Sequence, residues 1–486
     1  MTLLDPATWQ SKIYSDGFIS GGGGDYSVVE PATGAELGRL GRADADDVRH
    51  AAARAFQEQP AWAARPYNER AAVLRRAGDL FLEHAAEIGE WLIREGGAIP
   101  GRAAFETSTA AEECFEAAAL ASAPYGEMLR SQQPRLSFAR RLPVGVVGVI
   151  SPFNVPIVLS IRAVAPALAL GNAVVLKPDP RTAVSGGVVL ARIFQEAGLP
   201  DGVLHVLPGA ADVGEALVID PAVRVIAFTG STRAGRAVGT LGAQHFKRVH
   251  LELGGNSALV ILDDVDLEKA ASVGAWGSFF NQGQVCMSAS RHLVDARVAD
   301  EYARRLSDHA DHLPTGDPFR DQVALGPIID AGQRDRIHSL VTGSVAAGAK
   351  LAAGGTYEGL FYRPTVLTDV PTSAPVYAEE VFGPVAPVVA FSSVDELVKL
   401  AADTEYGLSL GILTRDVMKG LAIAERIPSG LVHINDQTVN DEALIPFGGV
   451  RSSGNGGRLG GAAANMEAFT ETQWVTVRGE LPDYPF

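Results

Sequence analysis

Residues 144–150 read Val-Gly-Val-Val-Gly-Val-Ile, an apolar, β-branched run of strand length. Four more runs of the same kind follow: AVVLKP from Ala173, GVLHVL from Gly202, VRVIAF from Val223 and RVHLEL from Arg248. Helix-compatible stretches separate them, among them 183–197 and 232–241. Strands that are apolar on both faces and alternate with helices predict a parallel sheet covered on both sides. Ligands of such sheets bind outside the carboxyl ends of the strands. Asn154, Lys177, Gly209, Gly230 and Glu252 stand at or just past those ends, so a nucleotide site is expected there.

Upstream, Val48, Ala51, Ala52, Ala55 and Phe56 repeat at helical spacing behind Asp44, the expected N-cap. A longer helix is expected after Asn68, with Val73, Ala77, Leu80, Phe81, Ile88 and Leu92 on one face and its end at Gly96-Gly97. The glycine run at 21–24 reads as a hairpin loop, because no helix bearing Lys or Ser follows it to make a phosphate cradle. Downstream, a second α/β stretch runs from about residue 256 to 450. Isolated alternating strands are expected near 134–142 and 470–478, the last with Trp474 on one face and Val475 and Val477 on the other. A lone terminal strand needs a partner edge, which predicts a sheet between subunits.

Composition narrows the class. The chain has 486 residues, 47% hydrophobic and 20% charged, which suits a globular protein of several domains. A net charge of −16 repels phosphates and anionic lipid, so neither nucleic acid nor a membrane is an expected partner. The apolar run at 163–176 is broken by Pro166 and Gly171-Asn172 and falls short of a bilayer span. The opening MTLLDPATWQ lacks the pattern of a signal peptide, and two cysteines exclude a disulfide framework. A soluble cytoplasmic enzyme is expected. Ten histidines occur without HExxH or CxxC, so no metal is expected.

Cys114, in the helical AEECFEAAAL, reads as a buried inert thiol. Cys286 lies in FFNQGQVCMSASR, beside Gly283, Gln284 and Ser288, and is either another buried thiol or an exposed nucleophile. Glu252 is either a surface acid at a strand end or, desolvated between Leu251 and Leu253, a carboxylate with a raised pKa suited to general base work. Asn154 is either a helix cap or an amide donor to an oxyanion. Residues 229–235, TGSTRAG, follow an apolar strand and open a helix, as a phosphate-approach loop does.

In order along the chain, SPFNVP, GNAVVLKP, FTGSTRAG, LELGG, NQGQVC, EEVFGPV and PFGGVRSSGNG resemble the signature series of the NAD(P)-dependent aldehyde dehydrogenase superfamily. The resemblance extends from VVEPATG near Val28 to the C-terminal strand. It implies an α/β fold with a Rossmann-like doubly wound cofactor domain (1–122 and 143–254), a second α/β catalytic domain (255–452) and a small β oligomerisation element (123–142 and 453–486). It further implies that Cys286 attacks the aldehyde carbon, that the Asn154 amide and the Cys286 backbone N–H hold the oxyanion, and that Glu252 activates the hydrolytic water. The implied cofactor is NAD. Its binding residues would be Ser151, Phe153, Lys177, Asp179, Gly209, Gly230, Ser231, Leu253, Glu380 and Phe382. Of these, Lys177 meets the adenine ribose, Gly230 and Ser231 the pyrophosphate, and Glu380 the nicotinamide ribose, while Phe382 packs near the nicotinamide.

Two departures from the family pattern carry information. Many NAD-preferring members read Lys-Pro-x-Glu, whereas this chain has Lys177-Pro178-Asp179-Pro180, so tolerance of NADP is expected. Arg458 stands where many members carry a glutamate, so no proton relay is transferred to it. The segments LKPDPRTAV, HINDQTVNDEALIPFGG and WVTVRGELPDYPF look most like the benzaldehyde dehydrogenase branch, which implies an aromatic aldehyde substrate. Val155, Leu159, Arg162, Val285, Met287 and Ile445 are the implied pocket, mostly apolar as a flat ring requires. Arg162 is either a paired structural cation or a contact to a polar ring substituent. A semialdehyde or aliphatic aldehyde dehydrogenase is the alternative. A non-catalytic cofactor-binding homologue is a further one, against which the intact Cys286, Glu252 and Asn154 argue. A homodimer or homotetramer through the C-terminal strand is expected.

Overall fold

The computed structural model describes residues 2–486. The five apolar runs form strands β1 (Val146–Ile150), β2 (Ala173–Lys177), β3 (Leu204–Val206), β4 (Val223–Thr229) and β5 (Arg248–Glu252) of one seven-stranded sheet. Their spatial order is β5-β4-β1-β2-β3, all parallel, extended past β3 by the short antiparallel strands Ile13–Tyr14 and Phe18–Ile19. The chain therefore winds outward in both directions from β1, and the order reverses between β1 and β4. Register sets the rim: Ile150 lies beside Lys177 and Phe228, and Thr229 beside Glu252, so the carboxyl ends of four strands finish level. Val146, Val147, Val174 and Val175 are fully buried, which is why these strands show no alternation.

Asp44 caps helix α1 (Ala45–Ala64), accepting the amides of Asp46 and Asp47 at 2.9 and 3.0 Å while Asp47 accepts the amide of Asp44 at 3.0 Å. Val48, Ala51, Ala52 and Ala55 face the core as expected, but Phe56 does not: it is 62% exposed. One residue beyond Ala55 is a turn of about 100° around the helix, enough to carry a side chain off the buried stripe. The single long helix expected after Asn68 is two, α2 (Tyr67–Glu83) and α3 (Ala85–Gly96), parted at His84 with φ −104° and ψ 16°. Its six apolar positions are all buried, so the periodicity survives a break of one residue and cannot reveal it. Gly97, left-handed at φ 67°, closes α3. Helix α4 (Pro100–Leu120) follows and buries Cys114 completely. Helix α5 (Pro156–Ala169) follows β1, and α6 (Thr232–Gln244) follows β4 with Ser231 as its cap.

A second seven-stranded sheet contains β6 (Ser257–Ile261), β7 (Ala289–Asp295), β8 (Thr365–Thr368), β9 (Val385–Phe391), β10 (Ser409–Leu413) and β11 (Leu431–Ile434), in the order β8-β9-β7-β6-β10-β11. These six are parallel, and Lys350–Ala353 pairs antiparallel outside β8. The apolar cores separate at the same place. One gathers side chains up to Leu253 together with Leu459, Ala468 and Phe469, and the others begin at Ala258 and Leu259.

The terminal strand β12 (Thr470–Val477) is not isolated, contrary to expectation. It pairs along its whole length with Leu136–Pro143 of the same chain, and Gly126–Met128 lies on the far side of that strand. The partners are more than 300 residues apart in sequence, beyond any local signal. Trp474 donates to Ser137 Oγ at 2.9 Å, yet remains 62% exposed. Among the described residues, no helix is long and apolar enough to cross a membrane.

Candidate active site

Cys286 follows a tight turn at 280–284 in which Asn281 and Gln282 both adopt left-handed conformations, φ 51° and 56°. Side chains hold this turn from outside. Gln282 Nε2 donates to the carbonyls of Gly97 and Pro327 at 2.9 and 3.0 Å, and Gln284 Oε1 accepts the Ile329 amide at 3.1 Å. The two residues beyond Gln284 deliver the Cys286 thiol, half-buried, against Val285, Met287, Leu408, Phe447 and Ile445. Burial pushes that thiol up to about 12, reinforced by the carboxylates of Glu380, Glu252 and Asp441.

Glu252 ends β5 and is 5% exposed, and neither of its oxygens has a hydrogen-bond partner among the described residues. Burial holds its carboxyl well above the usual range, opposed by the positive charges of Arg458 and, less strongly, Arg162. The alternative of a surface acid is excluded by this burial. The two glycines after Leu253 serve close approach: a Cβ on Gly254 would lie 2.4 Å from Glu380 Oε2, and one on Gly255 would lie 2.3 Å from the Cys286 carbonyl. The backbone there runs between Cys286 and Glu380, whose Oε1 accepts the Gly255 amide at 3.0 Å. Gly448 similarly separates Arg458 from Glu252. A Cβ on it would lie 2.4 Å from Arg458 Nη1 and 2.8 Å from Glu252 Oε1, which places guanidinium and carboxylate within about 5 Å of one another.

Asn154 lies between β1 and α5 and is 6% exposed. It does not cap α5: the N-cap position is Val155, and the Ile157 amide is instead taken at 2.8 Å by Glu106 of α4. The Asn154 amide donates to the Gln284 carbonyl at 2.9 Å, two residues before the thiol.

The residues expected to hold a dinucleotide stand along the rim of the first sheet. Lys177, buried at the end of β2, has its pKa lowered by burial. Gly230 donates to the Glu252 carbonyl, and Ser231 starts the N-terminus of α6 beside it, where free N–H groups favour an anion. Leu253 packs into the space left by Gly235, and Gly209 after β3 backs onto Val213. Ser151 Oγ accepts from Ser160 at 2.7 Å. Phe153 and Phe382 meet edge to face at 5.9 Å. Glu380 has its carboxyl raised to about 7 by burial, with the Gly255 amide its one hydrogen-bond donor among the described residues, a donor set open to hydroxyls such as those of a ribose. Asp179 is engaged on both oxygens by Arg181, at 2.9 and 2.8 Å. Arg181 also reaches Asp330 at 2.7 Å and covers the Phe153 ring at 4.1 Å. These features fit a nicotinamide dinucleotide.

Val285, Met287 and Ile445 gather with Phe447 around Cys286. Leu159 and Arg162 share one face of α5 by spacing, with Val155 at its N-cap, and Arg162 lies 5.3 Å from the Phe447 ring. Arg162 is 3% exposed and paired on both sides, with Glu113 at 2.9 Å and Asp441 at 2.8 Å. The structure shows the ion pairs of a paired cation, and the buried Nη1 has no hydrogen-bond partner among the described residues. Glu113 and Asp441 escaped the sequence reading. The signal for Glu113 was a charged residue at helical spacing between Ala110 and Ala117, beside Cys114. Arg102 and Glu106, one turn apart on α4, escaped it for the same reason.

A family model described as "Aldehyde dehydrogenase family" matches residues 18–475. The chain is 66% identical to a vanillin dehydrogenase of an Amycolatopsis species over 486 residues, the whole of both proteins. It is 48% identical over 479 residues to the NAD(+) benzaldehyde dehydrogenase of Pseudomonas putida, covering 98% of each. A crystal structure of a salicylaldehyde dehydrogenase from Pseudomonas putida G7, complexed with salicylaldehyde, superposes with a TM-score of 0.94 at 34% identity, over 98% of this chain and 99% of that one.

Proposed function

The chain belongs to the aldehyde dehydrogenase family, and from that premise we propose that it oxidises an aromatic aldehyde of the benzaldehyde type to the carboxylic acid, using NAD and tolerating NADP. The observation that carries this reading is the half-buried Cys286 thiol set in an apolar cluster, with a buried, unpartnered Glu252 carboxylate acting on it. Cys286 Sγ bonds the aldehyde carbon and the thiol proton passes to solvent. The former carbonyl oxygen takes the electron pair and is held by the second hydrogen of the Asn154 amide and the Cys286 backbone N–H, donors aimed at charge that develops only in the transition state. A nicotinamide held by Glu380 and Phe382 would supply the acceptor for the hydride leaving that carbon. The remaining thioester on Cys286 is attacked by water, whose proton goes to Glu252. The carbon–sulfur bond breaks, the proton on Glu252 passes to the departing Cys286 sulfur, and the acid leaves.

Lys177, Gly230, Ser231, Glu380 and Phe382, with Ser151, Phe153, Gly209 and Leu253 around them, hold the dinucleotide in this reading. Pro180 offers no carboxylate to repel a 2′-phosphate and Asp179 is committed to Arg181, which supports tolerance of NADP. An aromatic ring lies among Val155, Leu159, Val285, Met287, Ile445 and Phe447. An acidic aliphatic substrate would need a free cation, and Arg162 already carries two carboxylates. The segments 1–122 with 143–254 form the cofactor domain, 255–452 the catalytic domain, and 123–142 with 453–486 the bridging element. The outer edge of β12 joins copies of the chain into a dimer or tetramer, and the enzyme works in the cytoplasm.

The test is reduction of NAD by benzaldehyde with mass spectrometry of Cys286 during turnover. An acyl adduct on Cys286, and loss of activity in Cys286→Ser, are expected. Retained activity in that variant would overturn the reading.

A further inference from the structure

Resting on the reading of Asn154 as the oxyanion donor, we propose that Arg102 and Asn281 are positioning residues that aim its amide at the carbon bonded to Cys286. Asn154 lies in a loop, outside any helical or strand ladder, so something else must fix it. Its peptide carbonyl accepts two hydrogen bonds, from Arg102 Nη1 and from Asn281 Nδ2, the latter at 3.1 Å. Its side-chain amide gives one hydrogen to the Gln284 carbonyl at 2.9 Å and keeps the other for substrate. Asn281 ties these two anchors together. Its Oδ1 accepts from Arg102 Nη1 at 3.1 Å, its backbone carbonyl accepts the Gln284 amide at 3.0 Å, and its Nδ2 also lies 3.4 Å from the Gln284 carbonyl.

Every member of this cluster is buried: Arg102, Asn281 and Gln284 are at most 3% exposed and Glu106 is fully enclosed. Glu106 sits 3.1 Å from Arg102 and accepts the Ile157 amide at the start of α5, so one ion pair fixes both the clamp and the helix that follows Asn154. Arg102 donates through Nη1, to the Asn154 carbonyl and to Asn281 Oδ1, while Nη2 faces Glu106 in the ion pair and neither it nor Nε has a hydrogen-bond partner among the described residues. Asn281 is left-handed at φ 51°, a conformation Asn tolerates better than most residues. The clamp therefore links α4, the loop after β1 and the Cys286 turn. A displacement of the donor by about 1 Å costs up to about 100-fold in rate.

Two variants test it. Arg102→Met deletes the donations to Asn154 and Asn281 while keeping much of the side chain's length, and Asn281→Gly keeps the left-handed backbone while deleting its side-chain contacts to Arg102, Asn154 and Gln284. Each is measured for kcat and KM with benzaldehyde and NAD, and for the rate of alkylation of Cys286 by iodoacetamide, which needs the thiol but no oxyanion donor. The expected result is a fall in kcat of about 10- to 100-fold, with KM and the alkylation rate within about threefold of wild type. The proposal is overturned if kcat stays within about twofold, or if alkylation falls in step with kcat, which would make the clamp a general support of the turn. Cys286→Ser separates the two readings. If it is inactive while both clamp variants are unimpaired, only the clamp fails; if it is active, the assignment of the site itself fails.

Discussion

Replacing Arg162 with methionine removes the guanidinium but keeps much of the side chain's bulk against Phe447. What remains is Glu113, with a side chain 2% exposed, and Asp441, at 14%, each having lost a partner under 3 Å away. Breaking one side of a buried ion pair typically costs about 3–5 kcal/mol, because the other charge is left uncompensated. Glu113 can escape part of that cost by taking a proton. Burial already raises its carboxyl from 4.5 to about 7, even though Arg162 pulls it down. A carboxyl whose folded pKa lies above its unfolded one loses about 1.4 kcal/mol of stability per pH unit as pH rises between the two values. In the wild type that loss is complete once pH passes about 7. In Arg162→Met the folded value is higher still, so the loss continues above pH 7. The stability gap between the two proteins should therefore widen by about 1.4 kcal/mol per pH unit above neutrality and narrow on the acid side. Urea unfolding followed by tryptophan fluorescence, in matched buffers on either side of pH 7, measures this gap. A gap that is constant, or that closes as pH rises, would refute the claim that Arg162 lowers the Glu113 carboxyl.

Glu252→Gln preserves shape and has no hydrogen bond to lose, so folding should be intact while steady-state turnover falls by about 100- to 10,000-fold, the usual worth of a general base. Stopped-flow should still show a burst of reduced nicotinamide near one equivalent, with the acyl adduct persisting on Cys286; absence of the burst would place Glu252 before hydride transfer. Arg458→Gln removes the largest charge that favours ionised Glu252, so the carboxyl should titrate at higher pH and the acid limb of the kcat profile should move upward with the alkaline plateau unchanged. A limb that stays put or moves down would show that Arg458 does not act on Glu252.

Much of the architecture was legible in the chain because it rests on local patterns. A strand buried on both faces must be apolar throughout, so the runs at Val146, Ala173 and Val223 announced a parallel sheet, and that sheet placed Lys177, Gly230 and Glu252 on one rim. The same logic located Asp44 as a cap and Gly97 as a stop. Local periodicity is blind to a one-residue break such as His84, since α2 and α3 bury the same stripe. It is also blind to the pairing of β12 with Leu136–Pro143, which joins segments more than 300 residues apart.

The ordered motifs point to Asn154, Glu252 and Cys286 as candidates, since a thiol, a desolvated carboxylate and an amide carry their chemistry in their own atoms. What surrounds them was settled only by folding. Whether Arg162 offers a free cation depends on Glu113 and Asp441, which arrive from a helix 49 residues before it and a loop far after it. Whether Asn154 caps a helix or keeps its amide free depends on Glu106 taking the Ile157 amide and on Arg102 and Asn281 taking the Asn154 carbonyl. Burial and charge compensation are properties of neighbours in space, so the ionisation of Glu252 and the aim of Asn154 exist only once distant elements have packed.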